Sequence, residues 1–213
     1  TKKRPRIWAS RRASNRTMRN MRALTKKQRS DCMRAENALS AESSRAAAEY
    51  VRLALEMGAL HAVVFSLEDI AFDSRTLLKC MFGCADWGCN HTCPSRANNV
   101  SLAEYKEMLS RYQWGIIVHA ADKSLSQKIS LALESRAFHD GYYFAFSLSD
   151  CALCGKCAAT ENAPCRCPRM ARPAFHSVGI DVFKTVRGFG LPICTLEHPE
   201  TEAQNWYSAV FVE

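Results

Sequence analysis

The chain has 213 residues, 11 cysteines and 29 Lys+Arg against 21 Asp+Glu, a formal charge of +8. A chain of about 200 residues buries roughly 70% of its unfolded surface and needs no disulfides to make a core, its cysteine content stays below the ~8–10% of a disulfide scaffold, and an odd count excludes complete pairing within one chain. No run of ~18 apolar residues spans a membrane and no apolar signal segment opens the sequence, so the expected compartment is a reducing cytoplasm, where clustered cysteines point to metal.

The charge is uneven. Residues 1–35 carry 13 of the basic residues and a single acid, Asp31, so the extension is +12 and the remainder −4. Such a segment repels itself and buries little, which predicts a disordered or loosely helical extension over 1–36 ahead of a metal-binding α/β domain over 37–213. A nucleic acid would be reached only through this extension. Only Trp8 in it could stack on a base, so the aromatic interleaving of single-strand binders is missing.

In the body, Ala47, Tyr50, Val51, Ala54 and Leu55 fall at helical spacing and predict a helix over 41–58, ended by Gly58. HAVVFS (61–66) reads as a buried strand, and residues 69–79 as a further short extended segment. Ser101 with Glu104 forms a capping box that opens a helix to about Tyr112. WGIIVHA (114–120) is an apolar strand, 123–139 a helix, YYFAFSL (142–148) a strand and WYSAVFV (206–212) a final strand. Helices alternating with apolar strands define an α/β or α+β domain, a mixed sheet flanked by helices. The two cysteine clusters are read as loop inserts, each placed after a strand.

The second cluster, SDCALCGKCAATENAPCRCPRM, holds Cys151, Cys154, Cys157, Cys165 and Cys167. A C-x2-C-x2-C turn lets one short loop set three thiolates around a cubane, with Cys165 or Cys167 as the fourth ligand. Gly155 is expected to supply a left-handed turn between ligands, and Cys167-Pro168 echoes the Cys-Pro that closes ferredoxin motifs. Zinc, which prefers C-x2-C pairs split by a longer loop, is the alternative. The first cluster, KCMFGCADWGCNHTCPSR, holds Cys80, Cys84, Cys89 and Cys93, enough for one tetrahedral set of either metal. One or two 4Fe–4S clusters would fit the two loops. His91 could replace one thiolate, although a histidine in a polar loop more often faces solvent. Cys32 and Cys194 lie outside both clusters and read as ordinary thiols.

These clusters and the stretch after them resemble the domain of unknown function 2284 family, uncharacterised predicted metal-binding proteins. The resemblance runs from about residue 45 to the end. It is carried by Lys79-Cys80, Cys84, Trp87-Gly88 and Cys93-Pro94, then by Cys151, Cys154, Cys157, Pro164-Cys165-Arg166, Arg172-Pro173 and the string Gly179-Ile180-Asp181-Val182. It implies metal binding with seven shared cysteines; Cys89 and Cys167 depart from the pattern. The first loop then has three family thiolates. Either one iron stays open, or Cys89 completes the set, or the two loops share ligands.

Asp181 reads as a helix cap. Arg166, Arg169 and Arg172 could offset cluster charge, and His176 lies near the same loop. No P-loop, dinucleotide-binding glycine string, HExxH or G-x-S-x-G occurs. Three functions fit. The favoured one is an iron–sulfur redox protein with a redox partner protein, by electron transfer or cluster-based reductive chemistry. The others are a zinc-stabilised binding module with a nucleic-acid-contacting arm, and a metal-cluster accessory protein.

Overall fold

The structure is a computed structural model; it describes residues 26–96, 100–197 and 202–213, and of residues 26–40 the backbone alone. Residues 1–25 of the basic extension therefore lie outside the described residues. The chain forms two units, Thr1–Ala46 and Ala47–Glu213. In the first, the backbone is helical from Lys26.

Helix α1 (Lys26–Glu56) ends where Gly58, at φ +99°, turns the chain out of helical geometry. Four strands follow: β1 (His61–Ser66), β2 (Trp114–Ala120), β3 (Phe146–Leu148) and β4 (Trp206–Phe211). Their order is β1-β2-β4-β3, and every neighbouring pair is antiparallel. The helix-and-sheet class holds, and of its two forms the pairing selects α+β; the sheet is antiparallel where a mixed one was expected. Strand β1 is an edge strand, so only Phe65 of it is buried, not the whole segment.

Residues of alternate parity face opposite sides of a sheet. Phe65, Ile117, Leu148, Tyr207, Ala209 and Phe211 share one side with Leu109, Phe175, Val178, Ile180 and Val186 in one apolar core. Ile116, Val118 and Val210 point to the other side, where helix α4 packs. In chain order the remaining helices are α2 (Thr76–Gly83), α3 (Leu102–Leu109), α4 (Lys123–His139) and α5 (Val182–Gly188). The Ser101–Glu104 capping box forms as the sequence predicts. Asp122 caps α4, its carboxylate accepting from the Leu125 N–H at 2.8 Å. Asp181 caps α5, accepting from the Lys184 N–H at 3.0 Å.

Two segments differ from expectation. Residues 69–79 are not extended. A 3-10 turn (Leu67–Asp69), a single bridge between Phe72 and Ile180, and α2 occupy this stretch. Tyr142–Ala145 is a turn rather than strand. Gly141, at φ +102°, takes the chain out of α4, the Tyr142 N–H returns to the Ala137 carbonyl, and strand pairing starts only at Phe146. Among the described residues no helix is long and apolar enough to cross a membrane.

Candidate metal centre

The second cysteine loop leaves the sheet directly after β3. Its neck is closed by the Ser149 N–H, which donates to the Pro173 carbonyl at 2.9 Å. Two polar side chains of α4, the buried Gln127 and the partly buried Glu134, then pin it. The Gln127 Oε1 accepts from the Ala152 N–H at 2.6 Å, while its Nε2 donates to the Met170 carbonyl at 3.4 Å. Glu134 accepts from the Ser147 N–H at 2.7 Å and from Arg172 Nε at 2.9 Å, and it forms an ion pair with the same guanidinium. The Arg172 guanidinium also lies 5.1 Å from the Phe146 ring centroid. Arg172 is therefore a clamp at the end of the loop, and its charge is taken up by Glu134. Arg166 stays at the surface, donating to the Lys156 carbonyl at 3.1 Å. The left-handed residue in this loop is Asn162, at φ 52°; Gly155 is not among the positive-φ residues, so the expected left-handed turn between Cys154 and Cys157 does not form.

The first cluster is not wholly a loop. Cys80 sits on α2, and Cys84, Cys89 and Cys93 lie in the turns beyond it. Gly88, at φ +81°, allows its N–H to donate to the Cys93 Sγ at 3.3 Å. Ser95 Oγ stands 3.0 Å from the same sulfur. The GIDV string anchors the segment that leads into α2. The Asp73 N–H donates to Gly179 O, the Asp181 N–H to Ala71 O, and the Ala71 N–H to Thr185 Oγ1. The string is thus a structural clasp, and Asp181 is its cap.

The two cysteine segments touch. His91, half-buried rather than solvent-facing, has its Nε2 2.9 Å from the Ala163 carbonyl of the second loop. Two cavities lie at this junction. One, of about 240 Å³, is lined by Cys89, Cys151, Cys154, Cys157, Cys165 and Cys167. The other, of about 80 Å³, is lined by Cys80, Cys84, Cys93 and Cys151, with Asp150 and His176. Lys123, Asp86 and Asn90 line both. All nine cysteines of the clusters are thus distributed over two neighbouring cavities. Cys194 is exposed and belongs to neither.

The ten cysteines whose side chains are described are free thiols. Burial pushes the Cys80 thiol up to about 11, reinforced by Cys84, Cys93 and Asp150 nearby. Cys154 is also raised, by desolvation and then by neighbouring Cys167, which is in hydrogen-bond contact with it. Among the described residues no three His, Cys, Asp or Glu side chains converge closely enough to hold an ion as they stand. The donor set nevertheless suits a thiophilic metal: sulfur ligands predominate, no described cysteine is in a disulfide, and one sulfur already receives a backbone N–H, as metal thiolates do. Binding would expel the thiol protons.

Gln127 and Glu134 escaped the sequence reading. The sequence carries little signal for them, because α4 buries Ser126 and Ser130 beside Gln127 and its faces differ little in polarity.

An antiparallel sheet with two thiol-lined cavities at one junction defines a cysteine-rich α+β protein suited to metal. The chain belongs to the DUF2284 family of predicted metal-binding proteins, whose family model matches residues 63–212. No curated protein and no solved structure matches the chain.

Proposed function

We propose that this protein is an iron–sulfur protein of cytoplasmic redox metabolism, passing single electrons to and from a redox partner protein. One observation carries the reading: the whole C-x2-C-x2-C turn and both Cys165 and Cys167 line a single cavity. Five thiols brought by one loop to one cavity exceed the four that a lone zinc ion takes, and the short spacing suits an iron–sulfur cluster. When bound, the cluster would supply a reversible one-electron centre. The chain supplies the rest. Gln127, Glu134 and Arg172 fix the loop against α4. Lys123 lines both cavities, with its ammonium 5.6 Å from the Trp206 ring centroid. Burial and N–H···S bonds then tune the potential.

The test is purification without oxygen, followed by iron, sulfide and zinc analysis per chain and a visible spectrum. Iron and sulfide in near-equal amounts with a coloured visible spectrum are expected from thiolate-bound iron–sulfur clusters. Stoichiometric zinc with no sulfide would sink the redox reading in favour of a zinc-stabilised module.

A further inference from the structure

We infer that the C-x2-C-x2-C triad is divided between two metal sites. Cys151 completes a four-thiol set with Cys80, Cys84 and Cys93, while Cys154, Cys157, Cys165 and Cys167 form the second set. This rests on the reading that the two cysteine segments hold metal, and it holds for iron–sulfur or zinc, since both take four thiolates.

The smaller cavity motivates the partition. It brings Cys80, Cys84 and Cys93 of the first segment together with Cys151 and no other cysteine of the second. The larger one is lined by Cys154, Cys157, Cys165 and Cys167, none of which reaches the smaller one, and also by Cys89 and by Cys151, the single cysteine common to both. The backbone explains why Cys151 stands apart from its triad. It follows the neck closed by Ser149 and Pro173, and the next residue, Ala152, is tied to Gln127. Cys151 is thereby held beside Asp150 at the wall common to both cavities. Beyond that tie the loop turns away, and Cys154 lies against Cys167, with Cys157 nearby. Cys80 has Cys84 and Cys93 as its neighbours. Cys89 belongs to neither set. Its thiol donates to the Trp87 carbonyl at 3.8 Å. A short cysteine motif that serves two centres has precedent in two-cluster ferredoxins, whose fourth motif cysteine ligates the other cluster.

The division is complete in number: two sets of four, bridged by a two-residue spacer between Cys151 and Cys154. Such proximity would couple the two centres electrostatically and suit electron exchange between them.

The experiment compares anaerobically prepared wild type with Cys80→Ser, Cys151→Ser, Cys157→Ser and Cys89→Ser. Metal and sulfide per chain are measured. Alkylation of each remaining cysteine is mapped by mass spectrometry, and far-UV circular dichroism reports folding. Cys151→Ser and Cys80→Ser should lose the same roughly half of the metal. Each should expose the other members of the first set to alkylation while Cys154, Cys157, Cys165 and Cys167 stay protected. Cys157→Ser should show the reverse pattern, and Cys89→Ser should keep all its metal. If Cys151→Ser instead deprotects Cys154 and Cys157 and spares Cys80, Cys84 and Cys93, the division is overturned while metal binding stands. A single centre lost equally in all three ligand variants overturns it too. Wild type that holds no metal removes both this division and the function on which it rests. Where a variant fails to fold, metal-loaded wild type under progressive chelation decides: Cys151 must become reactive together with Cys80, Cys84 and Cys93. Reactivity in step with Cys154 refutes the division.

Discussion

The Nε2 of His91 lies 2.9 Å from the carbonyl oxygen of Ala163, so a side chain of the first cysteine segment bonds the backbone of the second. The nitrogen committed to this bond is a donor, because a carbonyl only accepts. His91 thus ties the segments together. His91→Phe should leave metal content unchanged and lower unfolding stability by about 1 kcal/mol, the usual worth of one such bond. Urea unfolding with metal analysis checks it; loss of metal in proportion to protein would instead make His91 a ligand.

Arg172 and Glu134 are both largely buried, with side chains 12% and 16% exposed. Removing one partner strands the other charge. Arg172→Met should therefore cost about 3 kcal/mol or more. Glu134→Gln should cost less, since the amide oxygen can still accept from the Ser147 N–H. If Arg172→Met unfolds no more easily than wild type, the clamp is not structural. Limited proteolysis gives a second readout: cleavage should rise within residues 150–172 in Arg172→Met before it rises elsewhere.

Local patterns carried far in this chain. The apolar run Trp114–Ala120, the Ser101–Glu104 box and the Asp181 cap depend on neighbours in sequence, and all three form as read. What escaped depends on partners far along the chain. Phe72 bridges Ile180, and Ala71 and Asp73 bond the GIDV string, so a stretch that looks extended locally is folded into a turn and a helix. Residues Tyr142–Ala145 are aromatic enough for a strand, but they are consumed in leaving α4. At the candidate site, cysteine spacing identified the two segments, whereas their approach through His91 and the grouping of Cys151 with Cys80, Cys84 and Cys93 depend on tertiary placement.

Gly115 has no room for a side chain. A Cβ there would stand 2.2 Å from the Val210 carbonyl oxygen and 2.5 Å from the Phe65 ring. The ring could tilt, but the carbonyl belongs to the central β4 and cannot. Gly115→Ala should cost about 3 kcal/mol through overpacking, a melting decrease on the order of 6–12 °C. Gly83→Ala, where nothing lies within 4 Å of the added carbon, should stay within about 1 kcal/mol of wild type, or gain slightly on helix propensity. Calorimetry of the two variants tests the contrast; equal melting temperatures would refute it.

His119 is buried against Tyr207, with ring centroids 4.7 Å apart. Its Nε2 lies 2.9 Å from Asn205 Oδ1, and its Nδ1 lies 2.9 Å from the Nδ1 of His61. The amide oxygen only accepts, so Nε2 carries the proton, and the neutral ring presents its Nδ1 lone pair to the His61 N–H. Protonating His119 would set two N–H groups against each other. Burial is the main cause that lowers its affinity for a proton below the ordinary value, with His61 adding to it and Asn205 opposing. In the unfolded chain the ring titrates near about 6.5. Between that value and the lower folded one, the unfolded state binds more protons, so stability falls as pH falls through this window. Above the unfolded value the neutral ring's contribution is fully present. Each unit of difference between the two states is worth about 1.4 kcal/mol. His119→Phe keeps the stack on Tyr207 and removes the titration. Urea unfolding between about pH 7.5 and 5 should show a shallower acid loss in the variant than in wild type, even if the variant is less stable at neutral pH. Parallel pH profiles for the two proteins would show that His119 is not the group responsible.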